Sequence, residues 1–112
     1  MSQGIYTITF RGASDWGIGM LVLQNGNITG ADVGGATYDG TYTDNGDSIF
    51  FKAIMTVPPG VSLVQGTRPM PTTYTVPFEA EIKKNIITTG EPVLINLPPG
   101  PVNVIFKKLR TL

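Results

Sequence analysis

The chain has 112 residues, 41% of them hydrophobic, which is enough for one domain with one modest core. Fourteen glycines, nine prolines and only 14% charged residues describe short strands joined by tight turns, because both residue types are costly inside helices. Eight acids balance eight bases, so the broad attraction to phosphate backbones is missing and no direct nucleic-acid partner is expected; with neither cysteine nor histidine, disulfides, thiolate sites, His-based metal sites and Ser-His-acid triads are excluded.

The N-terminus, Met1-Ser2-Gln3-Gly4, lacks a charged region followed by an apolar run, and no stretch approaches the roughly 18 apolar residues of a membrane span. The expectation is a cytoplasmic protein without a membrane partner. Under that expectation the sequon Asn27-Ile28-Thr29 is a chance match.

Gly4 to Phe10 alternates strictly, with Tyr6, Ile8 and Phe10 on one face and Thr7 and Thr9 on the other, which is the period of a half-buried strand. A turn at Arg11 to Asp15 leads to a second strand, Trp16 to Leu23. Its Gly17 and Gly19 permit coiling or close backbone approach, and its run Met20-Leu21-Val22-Leu23 is apolar on both faces, predicting a strand covered on each side. Trp16, beside Asp15, is expected to cap the core at a barrel end or to stand at an interface.

Asn25-Gly26 is a strong hairpin signal, because a type I′ turn needs positive φ at both central residues; it predicts antiparallel pairing of the second strand with a third ending at Asp32. Gly34-Gly35 then makes a loop before a fourth strand, Tyr38 to Thr43. A second turn, Asp44-Asn45-Gly46-Asp47, precedes a long β-rich run from Ser48 to Val57.

Val57-Pro58-Pro59-Gly60 stops that strand, and the connection up to Pro71 is too rich in Pro, Gly and Thr for a helix; it is expected to pack as a loop over one barrel end. Thr72 to Ile82 resumes alternation, with Tyr74, Val76, Phe78, Ala80 and Ile82 facing one way, while Pro77 marks a bulge or an edge. Two further strands follow, Val93 to Leu97 and Val102 to Leu109, separated by the Pro98-Pro99-Gly100 turn. The count of eight predicts an all-β, single-domain, antiparallel up-and-down barrel of lipocalin-like type, or a half-barrel, over residues 1–112, with no amphipathic helix.

The inventory leaves little for catalysis, and the chain is expected to be a non-enzymatic binding protein without a cofactor. Asp44 with Asp47 and Glu79 with Glu81 lack EF-hand spacing and read as solvated turn and strand carboxylates, so no metal site is expected. Lys83-Lys84 and Lys107-Lys108 read as solvated strand-end charges. Tyr6, Phe10, Tyr38, Tyr42, Phe51, Tyr74, Phe78 and Phe106 all fall on predicted strands; Tyr6, Phe10, Tyr42, Phe51, Tyr74, Phe78 and Phe106 could line a cavity for a small apolar ligand, or fill a packed core that would look the same from sequence.

Charge is uneven along the chain. Residues 1–50 hold five acids (Asp15, Asp32, Asp39, Asp44, Asp47) against Arg11, whereas residues 51–112 hold seven bases against three acids. A barrel that interleaves both halves would cancel this difference; otherwise it makes two patches suited to self-association. The second strand and Phe50 to Ile54 are apolar on both faces apart from Lys52, which points to a homodimer.

Gly4-Ile5-Tyr6 followed by Phe10, then Gly17 and Gly19, then Asn25-Gly26-Asn27-Ile28-Thr29-Gly30-Ala31-Asp32 and Tyr38-Asp39-Gly40-Thr41-Tyr42 resemble the GrlR-type negative regulators of type III secretion, mainly over residues 4–43. The later half is similar only in strand rhythm. The resemblance implies a lipocalin-like barrel, often dimeric, that binds and restrains a transcriptional activator. In that family an exposed Glu-Asp-Glu-Asp stretch follows the fourth strand; the corresponding Asp44-Asn45-Gly46-Asp47 keeps two of the acids and is the partner-binding candidate that the resemblance implies.

Overall fold

The computed structural model of the chain describes residues 3–112; Met1 and Ser2, part of the N-terminal segment considered above, lie outside the described residues. Among the described residues eight strands run in chain order: β1 (Gly4–Arg11), β2 (Trp16–Gln24), β3 (Asn27–Asp32), β4 (Thr37–Asp44), β5 (Ser48–Val57), β6 (Tyr74–Lys83), β7 (Val93–Leu97) and β8 (Gly100–Thr111), with one short helix, α1 (Lys84–Thr89), between β6 and β7. All paired strands are antiparallel, in the order β6-β5-β4-β3-β2-β1-β8-β7. The sheet curls until its end strands, β6 and β7, come side by side without a hydrogen-bonded ladder, so the barrel is nearly closed, with one seam. Pro77, which has no N–H to give, lies on β6 in unbroken register opposite Ile54 and therefore on the unpaired edge, not at a bulge.

The hairpins follow their turn chemistry. Asn25 and Gly26 take φ of 53° and 80°, which are the positive values a type I′ turn requires, and β2 pairs with β3 across them. Alternation sets what faces inward. Tyr6, Ile8, Leu21, Leu23, Ile28, Ile49, Phe51, Ile82, Val102, Val104 and Phe106 are buried in one core, with Phe51 and Phe106 stacked at 6.3 Å between centroids.

The two barrel ends are closed differently. At the end where β1, β3, β5 and β7 finish, residues 58–73 form the expected packed loop. Leu63 joins Ala36, Met55, Val57 and Val76 in a second small cluster, and the Val64 carbonyl accepts from the Ser14 and Asp15 amides at 2.9 and 3.0 Å. At the opposite end sits α1, an element the alternation did not predict. Its Ile87 is buried in the main core, its first amide donates to the Asp47 carbonyl at 2.8 Å, and it ends at Gly90, whose φ of 75° is the left-handed closing conformation.

The expectation that β2 is covered on both faces is corrected within the single chain. Gly17, Gly19, Leu21 and Leu23 face inward, whereas Trp16, Ile18 and Met20 are 60, 44 and 47% exposed on the outer surface. The described residues form one sheet layer, and these three side chains stand on its outer surface. Trp16 accordingly caps no core.

Candidate functional site

The barrel interior is not completely filled. A cavity of about 100 Å³ runs through it, well above the roughly 30 Å³ share of one water and above the voids of an ordinary close-packed core. Seven of the eight strands contribute apolar side chains to its wall: Ile8 and Phe10 from β1, Leu21 from β2, Ile28 from β3, Phe51, Ala53 and Met55 from β5, Phe78, Ala80 and Ile82 from β6, Ile95 and Leu97 from β7, and Val102, Val104 and Phe106 from β8. Leu63 and Val64 of the 58–73 loop also line it. Asp32, Tyr38 and Gln65 alone bring side-chain polar atoms to the wall.

The space arises from the steric pattern of the strands. Ala53 of β5 and Ala80 of β6 bring short side chains to the wall, and Ala53 is paired with Gly40 on one side and Phe78 on the other. Gly40 is obligatory there, because a Cβ would sit 2.1 Å from the Lys52 carbonyl oxygen. Short inward side chains on adjacent strands leave room that the aromatic rings of Phe10, Phe51, Phe78 and Phe106 border without filling.

Asp32 and Tyr38 form the polar corner. Asp32 ends β3, and its Oδ1 accepts from the Gly34 and Ala36 amides at 3.0 and 3.1 Å, so the Val33-Gly34-Gly35 loop is wound around its carboxylate. Tyr38, on β4, donates its phenolic O–H to Asp32 Oδ2. Burial pushes the Tyr38 phenol well above its ordinary value, and the hydrogen bond to Asp32 and that carboxylate's charge push it further. The phenol therefore stays protonated, with its proton committed to Asp32. Gln65 donates through Nε2 to the Gly100 carbonyl at 3.4 Å.

The aromatic residues singled out from sequence divide by location. Phe10, Phe51, Phe78 and Phe106 line the cavity; Tyr6, Tyr42 and Tyr74 do not. Tyr6 is buried toward the α1 end, with the Lys108 ammonium 5.8 Å from its ring centroid, and burial, then the neighbouring Tyr42, raises its phenol above the ordinary value. Tyr42 packs against the main core and Tyr74 against the smaller cluster under the loop. Sequence reasoning placed Tyr38 on a strand but did not pair it with Asp32; the available signal was an acid closing one strand, a Gly-Gly loop, and a tyrosine opening the next.

The acidic turn lies at the α1 end, with Asp44, Asn45, Gly46 and Asp47 all exposed. Asp44 Oδ1 accepts from the Gly46 amide at 3.2 Å and pairs with Lys84 Nζ at 2.5 Å, and the Asp47 carbonyl receives the first amide of α1. The turn thus anchors the helix, and the Asp44 to Lys84 pair joins the acidic half of the chain to the basic half. Lys83 and Lys84 stand at the β6 to α1 junction, while Lys107 and Lys108 lie within β8 and not at its end.

Exposed apolar side chains cluster on the outside of β2 and its neighbours, with Thr9 and Arg11 of β1 among them. Ile18 stands opposite Thr9, which is opposite Ile105 on β8, and Met20 stands opposite Ala31 on β3. Trp16, Ile18, Met20, Val33 and Ile105 are all exposed. Among the described residues no helix is long and apolar enough to cross a membrane, and no group of three or more acidic residues is placed to hold a metal ion. No protein-family model and no curated protein matches the chain.

Proposed function

We propose that this protein is a non-enzymatic binding protein that holds a small apolar molecule inside its barrel. The observation that carries this reading is the cavity itself: about 100 Å³, walled by apolar side chains from all strands but β4, with polar side chains only from Asp32, Tyr38 and Gln65 among the described residues. An engineered apolar cavity of about 150 Å³, half again as large, stays dry and takes up benzene. Titration with toluene, followed through isoleucine methyl resonances, tests it. Ile8, Ile28 and Ile82 line the cavity, whereas Ile54 and Ile105 are exposed outside. Shifts confined to the first set support the reading; no shifts, or shifts only at the exterior methyls, overturn it.

A second reading places function on the exposed turn Asp44 to Asp47. It is favoured by the position of this turn after the fourth strand, where the GrlR-type regulators carry their acidic stretch. An acidic loop on a rigid barrel suits the basic surface of a DNA-binding activator. Both readings accommodate a homodimer formed through the outer apolar face of β2, and both are compatible with a cytoplasmic location.

A further inference from the structure

We infer that the cavity selects an uncharged, compact apolar molecule carrying one hydrogen-bond donor, such as a phenol or a short alcohol, and rejects carboxylates and acceptor-only molecules of the same size. This rests on the reading of the interior as a ligand site and specifies its ligand. The selecting element is the fixed direction of the Tyr38 to Asp32 hydrogen bond. Asp32 Oδ1 already accepts two backbone amides and Oδ2 accepts the Tyr38 proton. A carboxylate so loaded has only acceptor capacity left, and the Tyr38 oxygen, its proton committed, likewise presents only lone pairs. A ligand meeting this corner must supply the proton.

Charge sharpens the choice. A ligand carboxylate would lie beside the Asp32 carboxylate in an apolar enclosure where repulsion is poorly screened. An acceptor-only ligand would face oxygen lone pairs with no proton between, leaving both sides unsatisfied. Gln65 carries both an N–H and an oxygen and so does not discriminate. The volume limits the apolar part to about one ring or a short chain, not a long acyl tail.

The test uses four single-ring probes, toluene, phenol, benzonitrile and benzoate, with affinities measured by methyl NMR and calorimetry on the full chain. Toluene reports the cavity alone. Phenol and benzonitrile have similar size and hydrophobicity but opposite hydrogen-bonding capacity, and phenol is expected to bind about tenfold more tightly, with benzoate undetectable. Asp32→Asn reverses the corner: its amide oxygen keeps the two backbone bonds, its N–H₂ donates to Tyr38, and the phenol proton is released toward the ligand. Benzonitrile should then gain about tenfold on phenol.

If toluene binds and phenol shows no advantage over benzonitrile, the inference falls while the cavity reading stands. Tight benzoate binding by the unaltered protein would overturn it as well, as would an Asp32→Asn variant that folds and keeps the original ranking. If toluene itself does not bind, both the cavity reading and this inference fall. The ranking in the unaltered protein needs no variant and decides the matter even if Asp32→Asn does not fold.

Discussion

The ring of Phe10 occupies the space directly over Gly17, its cross-strand partner, so that a Cβ at position 17 would come within 2.6 Å of the ring's Cε2 and Cζ. Both residues face inward at the end of β1 and the start of β2, and the same ring borders the cavity. The glycine thus lets a large aromatic lie close to the sheet and not across the lumen. A side chain at 17 would tilt the ring into the cavity.

Gly17→Ala and Gly40→Ala should therefore differ in kind. At 17 the obstacle is a ring that can rotate, and the cost is that of modest overpacking, about 1–3 kcal/mol. At 40 the obstacle is the Lys52 carbonyl oxygen at 2.1 Å, a backbone atom of the paired strand, so relief requires separating β4 from β5. Urea denaturation should show a folded Gly17→Ala protein with a lowered midpoint and a Gly40→Ala protein with a larger loss or no cooperative transition. Gly17→Ala should also weaken toluene binding, because its displaced ring enters the cavity.

The acidic turn offers a separate test. The Asp44 to Lys84 pair is exposed at both ends, with side-chain exposures of 41 and 35%, and such pairs contribute at most about 1 kcal/mol. The tie from the Lys84 amide to the Asp47 carbonyl uses backbone atoms and survives substitution. Converting Asp44 and Asp47 together to Asn should lower the urea-derived stability by no more than about 1 kcal/mol. If the turn is a partner surface, the same double variant loses capture of a basic activator while toluene binding stays unchanged. Loss of folding would mean that the turn is chiefly a structural anchor for α1.

These features differ in how far they are legible from residues alone. Strand faces were legible because a period of two assigns Tyr6, Ile8 and Phe10 to one side whatever lies across from them. The 25–26 turn was legible because few residue pairs other than Asn-Gly tolerate its backbone. Helix α1 was not: Lys84–Thr89 is rich in β-branched residues, which are weak helix formers, and spans less than two turns. It forms because Ile87 is buried and Gly90 and Asp47 hold its ends, all of which are tertiary facts. Whether inward aromatics meet or leave a gap depends on reach across the lumen, so Phe51 and Phe106 could be placed inside from sequence while the space beside them could not. The Asp32 to Tyr38 bond needs the exact winding of the loop between them, which composition suggests only as a turn.

Alkaline pH should destabilise the fold through Tyr38. Its phenol is raised in the folded state from the ordinary value of 10.0, first by burial and then by Asp32. Below about pH 10 folded and unfolded chains both hold this proton, and its contribution to stability is fully present. Above that pH the unfolded chain releases the proton while the folded chain keeps it. Unfolding is then favoured, by up to about 1.4 kcal/mol for each pH unit. Tyr6, raised in the same direction, adds to the trend. Urea midpoints measured at about pH 8 and about pH 11 should fall more for the unaltered protein than for Tyr38→Phe, which lacks this titration. Equal losses in the two proteins would show that Tyr38 titrates normally and that its proton is not held by Asp32.

The outer face of β2 leads to the last expectation. Trp16, Ile18 and Met20 project from one side of the strand with Ile105 and Val33 beside them, an apolar patch on the outside of a barrel whose interior already has its own core. Exposed apolar side chains gathered on one face mark contact sites, and a two-fold pairing of β2 faces would cover both copies at once. Sedimentation at micromolar concentration should therefore give a species of twice the 12.0 kDa chain mass. Ile18→Lys should return it to monomer, because a charge at the centre of the patch opposes desolvation there. The position is exposed in the single chain, so the monomeric variant should still fold and still bind toluene. Trp16 emission should move to longer wavelength as the variant exposes the ring fully to water. A 12.0 kDa species for the unaltered protein at the same concentration would exclude the dimer and leave the β2 face as a surface for a different partner.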